Sequence, residues 1–293
     1  MRILFIGCVQ SSYIELELLI KNNKNIVGVI TKEKSSFNSD FEDLAPLAFQ
    51  NGIPYKYVKN INDEDSIEFV KECNPDIAYC FGWSQLIKKE ILSIPQYGVI
   101  GTHPTMLPYN RGRHPIIWAL ALGLTETASS FFVMDENADT GKVISQEIIQ
   151  IKYEDYAEDL YNRIEESECR QILDFTEKYE NGTISYIEND DEGNVWRKRG
   201  VKDGMIDWRM SSRAIYNLVR ALSKPYPGAQ FMYEDETVTV WKVEEVITDE
   251  YTNIEPGKVV KYNGSEDFYV KAYDNLIHVC SCTNNKIKEG IYL

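Results

Sequence analysis

Gly98-Val99-Ile100-Gly101-Thr102-His103-Pro104-Thr105-Met106-Leu107-Pro108-Tyr109-Asn110-Arg111-Gly112 is a short apolar run that delivers a histidine into a loop punctuated by proline and glycine. It has the form of a buried strand presenting His103 at its carboxyl end. In open α/β sheets, ligands bind at that edge. An apolar segment at 116–122 follows. Next comes the acidic loop Asp135-Glu136-Asn137-Ala138-Asp139-Thr140-Gly141, between apolar runs at 131–134 and 143–151. An imidazole and a carboxylate on neighbouring strand ends can form a base and the group that orients it.

Outward from this stretch, apolar runs alternate with amphipathic ones up to about residue 150, the pattern of a doubly wound, mostly parallel, Rossmann-like sheet. The pattern predicts strands at 3–6, 26–30, 55–58, 77–81, 98–102, 129–134 and 143–151. Helices are expected near 14–21, 44–51, 66–72, 85–92 and 116–122. A longer amphipathic helix over 156–179 carries Leu160, Ile164, Ile172 and Phe175 as inward positions. The polar run at 188–194 reads as a linker or surface turn. Beyond a helix near 213–222, runs at 238–246, 257–262, 268–272 and 276–280 separated by turn residues look like a small antiparallel β-barrel. The expected division is 1–203 and 204–293.

The chain has 293 residues, 43% of them hydrophobic, enough for a large domain and a smaller one. With 46 acidic residues against 31 basic, the formal charge is -15, which disfavours nucleic acid as a partner. No apolar run reaches the roughly 18 residues that span a bilayer, and the apolar core of the amino terminus is too short for a secretion signal. Six cysteines without framework spacing fit free thiols in a reducing cytoplasm. Cys280-x-Cys282 has neither redox nor zinc-finger spacing, and with three histidines in the chain no metal is expected. His278 reads as structural and His114 as the start of a helix. The first turn, Gly7-Cys8-Val9-Gln10-Ser11-Ser12, lacks both a dinucleotide fingerprint and a P-loop; its backbone amides remain available to a substrate phosphate.

His103, Pro104, Thr105, Leu107, Pro108, Arg111 and Gly112, followed by Asp139 and Gly141, resemble the signature of the folate-dependent formyltransferases. The carboxyl-terminal run Asp203-Gly204-Met205-Ile206-Asp207-Trp208 and Pro225-Tyr226-Pro227-Gly228-Ala229 is similar to the second domain of the methionyl-tRNA and nucleotide-sugar members. The resemblance covers nearly the whole chain. It implies N10-formyltetrahydrofolate as co-substrate, His103 as general base and Asp139 as the group that orients it and favours the imidazolium as it forms. It places the pterin on Gly82, Trp83, Ser84 and Gln85 and on the loop with Val133, Asp135 and Glu136, with Ile87 and Ile100 as apolar walls. Gln10, Ser11, Thr105 and Arg111 are the expected acceptor contacts. One departure stands out: the asparagine of the family's Asn-His-Asp trio falls on Gly101. A backbone amide or ordered water replaces its hydrogen bond, the position has been changed deliberately, or the chain is a weak or inactive member. Replacement in place is preferred because the rest of the signature is intact.

Acidic residues outnumber basic ones from Gly204 onward, which favours a nucleotide-linked (UDP or dTDP) amino-deoxy sugar of bacterial surface glycans over tRNA. The alternatives are a methionyl-tRNA formyltransferase and a protein that binds folate or passes its formyl group to water. A cytoplasmic homodimer is the form this reading suggests.

Overall fold

The computed structural model describes residues 1–35, 40–189, 192–264, 266–283 and 286–293. In chain order the first elements are β1 (Arg2–Ile6), α1 (Gln10–Lys21), β2 (Asn25–Thr31), α2 (Ala45–Gln50), β3 (Tyr55–Tyr57), α3 (Glu64–Cys73), β4 (Ile77–Cys80), α4 (Lys89–Leu92) and β5 (Val99–His103). There follow β6 (Arg111–Gly112), α5 (Pro115–Ala121), β7 (Glu126–Val133), β8 (Val143–Gln150), α6 (Ala157–Glu180) and β9 (Val195–Trp196). The last are α7 (Ser212–Leu222), β10 (Ala229–Tyr233), β11 (Glu236–Val246), β12 (Val259–Gly264), β13 (Asp267–Lys271) and β14 (Leu276–Cys282).

The large sheet runs β3-β2-β1-β4-β5-β7-β8. Its first five strands are parallel, and β7 pairs antiparallel with β5, aligning His103 with Ser130 and Gly101 with Phe132. Alternation along β1 and β4 explains why both faces are covered. Ile3, Phe5, Ile77 and Tyr79 enter one core with Leu16, Leu19, Ile172 and Phe175, whereas Leu4, Ile6, Ala78 and Cys80 enter the other with Val70, Ile87 and Ile91. The inward positions expected on α6 are all buried. The helix expected over 85–92 shortens to α4, because Gln85 donates to the carbonyl of Lys59 and accepts from the amide of Ile61, which holds the preceding loop open.

The second sheet is antiparallel in the order β10-β11-β14-β13-β12. Strand β10, absent from the expected runs, pairs with the start of β11. Contacts group the chain as 1–112, 128–149 and 163–196 on one side and 113–127, 150–162 and 197–293 on the other, a division unlike the expected 1–203 and 204–293. The reason is side-chain chemistry within the second unit. Buried Arg220 on α7 donates to the carbonyls of Lys152 and Tyr153, Tyr216 stacks on Tyr153 at 4.8 Å, and Trp118 on α5 donates to the carbonyl of Arg197. Among the described residues, no helix is long and apolar enough to cross a membrane.

Candidate active site

His103 ends β5, 5% exposed. Its Nε2 lies 3.0 Å from the carbonyl oxygen of Asn110. A carbonyl can only accept, so Nε2 carries the proton of the neutral ring and the lone pair is on Nδ1. Nδ1 faces Oδ2 of Asp139 at 3.8 Å. That separation is too long for a hydrogen bond. The ring is therefore oriented by Asn110, and Asp139 is placed to act by charge, which corrects the orienting role expected of it. Should Nδ1 take up a proton, the carboxylate at this distance is worth on the order of 4 kcal/mol at an effective dielectric of about 20.

Asp139 is itself held tightly. Its Oδ2 accepts from the amide of Gly112 at 3.0 Å, and its backbone is left-handed at φ 60°. Aspartate tolerates that region better than most residues, at a cost of roughly 1–2 kcal/mol. Asn189 holds the turn in place: its Nδ2 donates to the carbonyls of Asp139 (2.9 Å) and Gly141 (3.0 Å), and its Oδ1 accepts from Arg111 (2.9 Å). Gly141 is required by close approach, since a Cβ there would lie 1.6 Å from the carbonyl oxygen of Val133. Asn194 continues the support, accepting from the amide of Asn110 with Oδ1 and from that of Arg111 with its carbonyl, while β9 pairs with β6. The run read as a linker or surface turn thus braces the site with Asn189 and Asn194; residues 190–191 lie outside the described residues. Only the amide side chains marked these positions, and polar residues in a turn carry no long-range signal.

The seat of the family asparagine is occupied. A Cβ on Gly101 would lie 3.0 Å from Cγ of Met134, 3.1 Å from Cζ of Phe132 and 3.2 Å from Sδ of Met134. Two apolar side chains fill the space, so of the two expected replacements an ordered water does not fit beside Gly101, which leaves a backbone amide.

Other expected contacts divide. Ile100 and Ile87, 0% and 1% exposed, belong to the two sheet cores and have no surface to offer a pterin, a correction to their role as walls. The side chain of Gln85 is engaged with the β3–α3 loop. Gly82 adopts φ 63° at the exit of β4, and Ser84 follows half-buried. Trp83 packs against the core holding Ile87, with Lys32 over its ring at 4.7 Å, and its buried Nε1 has no acceptor. Asp135 accepts from Asn137 and Thr140 within its own loop, Val133 lies half-buried at the end of β7, and Glu136 reaches Lys89 at 3.7 Å.

Of the acceptor contacts, Gln10 is exposed and Ser11 half-buried in the first turn of α1, where Val9 at the N-cap has no side chain able to cap. Thr105 is fully buried and donates to the carbonyl of Tyr109, and buried Arg111 is turned onto Asn189. Both brace the loop, which corrects their assignment to substrate. His114 caps α5 with its ring held below the usual histidine range by burial and by Arg199, Arg113 and Lys198.

On the opposite face of β5, Thr102 donates to Glu168 at 2.7 Å. Burial pushes the Glu168 carboxyl up to about 7, against the Thr102 bond and with a further push from Glu165. Glu15 on α1 is fully buried with neither carboxylate oxygen bonded; burial and then Glu168 and Glu165 raise it well above the usual range. The apolar period of α1 and α6 gave no sign of this pair.

Residues 1–176 match the model of the formyl transferase family, and residues 200–288 match the formyl transferase C-terminal domain. The chain is 31% identical over 263 residues to the methionyl-tRNA formyltransferase of Thermodesulfovibrio yellowstonii, taking in 88% of this chain and 84% of that one. It is 30% identical over 266 residues to the bifunctional polymyxin resistance protein ArnA of Wigglesworthia glossinidia brevipalpis, a match over 90% of this chain and 40% of that longer protein. The crystal structure of the N-formyltransferase of Helicobacter canadensis, in complex with folinic acid and dTDP-3-aminofucose, shares the fold with a TM-score of 0.71 at 17% identity, covering 96% of this chain and 99% of that one. The fold shared with that structure is a doubly wound sheet followed by an antiparallel sheet. The chain belongs to the formyl transferase family.

Proposed function

We propose that the protein moves a formyl group from N10-formyltetrahydrofolate to the amino group of a nucleotide-linked amino-deoxy sugar. The observation that carries this reading is Nδ1 of His103 facing Asp139 across 3.8 Å. The folate supplies the formyl carbon, and the amine forms the new C–N bond as the bond to N10 breaks. Nδ1 accepts the proton the amine loses and delivers it to N10 as that nitrogen leaves, which regenerates the neutral ring. Asp139 stabilises the imidazolium, and the Asn110 carbonyl keeps the ring in register throughout. Proton removal by a positioned base contributes on the order of 10²–10⁴ in rate.

The choice of acceptor is supported by what several cations of the second unit do. Lys271, 3% exposed, donates to the carbonyls of Ala272, Tyr273 and Asp274, and buried Arg220 is likewise turned inward. Arg209 pairs with Asp207, Arg213 with Glu245, and Lys286 with Glu236. A polyanion needs several uncompensated cations along its path, and each phosphate met steepens the salt dependence. A sugar carrying one diphosphate needs few. Surface-glycan synthesis in the cytoplasm is the setting this substrate implies.

The test is formylation of a panel of UDP- and dTDP-linked amino sugars beside charged initiator tRNA. Turnover of a sugar nucleotide with little dependence on salt supports the reading. Formylation of the tRNA alone, falling steeply as salt rises, overturns it.

A further inference from the structure

Three strands of the second sheet bring together side chains that the sequence spacing kept apart. Glu244 on β11 lies directly across from His278 on β14, and His278 across from Tyr269 on β13. Nδ1 of His278 is 3.4 Å from Oε2 of Glu244 and 3.6 Å from Sγ of Cys280. The carboxylate, imidazole and thiol atoms all lie within 4.8 Å of one another. On the other side of the ring, Nε2 is 2.8 Å from Oδ1 of Asp267. Tyr269 stacks on the imidazole at 4.3 Å and 3°, fixing its plane.

From this arrangement we infer that Glu244, His278 and Cys280 form a binding site for a tetrahedral divalent transition metal, of which zinc is the natural occupant. The sequence reading expected no metal because Cys280-x-Cys282 has no metal spacing. Cys282, however, is buried, and the second and third ligands of Cys280 come from its own strand and the next. Zinc binds thiolate at about 2.3 Å, imidazole at about 2.0–2.1 Å and carboxylate at about 2.0–2.2 Å. Tetrahedral angles then place sulfur and nitrogen roughly 3.6 Å apart and nitrogen and oxygen roughly 3.4 Å apart. Those are the separations seen for Cys280 and Glu244 around Nδ1.

The surrounding groups fit the same role. A carboxylate accepts, so Nε2 donates to Asp267, and Nδ1 is the ring nitrogen that faces Glu244 and Cys280. Carboxylate support of this kind orients metal-binding histidines. Glu244 is exposed and His278 and Cys280 are half-buried, so an ion has a path of entry and a fourth position is open to water.

The experiment uses the full chain, stripped with a chelator and titrated with Co²⁺. One equivalent is expected to produce the visible bands of tetrahedral cobalt and a thiolate-to-cobalt charge-transfer band, both removed by added Zn²⁺. Cys280→Ser should abolish the charge-transfer band, and Cys282→Ser should keep it. Glu244→Gln, at an exposed site, should weaken binding by removing a ligand, and Asp267→Asn, half-buried at the start of β13, should weaken it by about 10–100-fold, as loss of a ligand's support does. Absence of the charge-transfer band at one equivalent, or its persistence in Cys280→Ser, overturns the site.

Discussion

Restoring the family asparagine by Gly101→Asn tests whether the seat above β5 is filled as described. A Cβ there stands 3.0 Å from Cγ of Met134 and 3.1 Å from Cζ of Phe132, and the rest of the amide must follow it into the same space. Phe132 is buried and paired with Gly101 across the strands, so relief falls to the flexible Met134. Overpacking of this kind costs about 1–3 kcal/mol. An added donor to a developing oxyanion is worth roughly 10²–10³ in rate when correctly placed. The single variant is expected to unfold at lower urea concentration by the amount that cost implies, with no gain in formyl transfer. Gly101→Asn combined with Met134→Ala makes room, recovers part of the stability and increases the rate. Urea denaturation and initial-rate assays on parent, single and double variants read both quantities. A single variant as stable as the parent and at least 10² faster would refute the reasoning, because the seat would then have been open.

Asp139→Asn keeps an acceptor for the amide of Gly112 but removes the charge facing Nδ1, so turnover should fall by up to about 10³ with folate affinity little changed; a fall below tenfold contradicts the electrostatic role. Asn189→Ala leaves two carbonyls without their donor and removes the side-chain acceptor of Arg111, and should cost about 3 kcal/mol in denaturation together with at least tenfold in activity; Asn189→Asp, which keeps that acceptor but sets an oxygen against both carbonyls, should restore neither. Glu168 has a folded-state value raised to about 7 from 4.5, so the stability it contributes is complete below pH 4.5 and lost as pH rises through 7, roughly 3 kcal/mol in all. Glu168→Gln should match the parent near pH 4.5 and exceed it by that order at pH 8; parallel stability curves from pH 4 to 8 would count against the assignment.

The parallel half of the fold was legible because β1, β2, β4 and β5 are buried on both faces, and such strands appear as continuous apolar runs bounded by turn residues. The His103 strand end and the Asp139 loop were legible for the same reason, and coordinates place them facing one another. What escaped depended on distance in the chain. Asn189 and Asn194 reach back about eighty residues to brace Arg111 and Asn110, and nothing in the local pattern of a polar turn announces that. Glu15 and Glu168 sit on helices whose apolar period is satisfied without them, so burial of two carboxylates was invisible. Strand β10 follows Pro225 and Pro227 closely, and its register is set by β11 rather than by a pattern of its own. Thr105 and Arg111 belong to the signature yet face the protein, because a loop that must present one imidazole needs its own internal bonds.

The most direct measurement of the central claim is the turnover of His103→Ala, supplied with N10-formyltetrahydrofolate and the amino-sugar nucleotide that the parent formylates, alongside its equilibrium binding of folate. The account predicts folate binding close to that of the parent and amine-dependent release of tetrahydrofolate slower by about 10²–10⁴. Turnover equal to the parent's would contradict it.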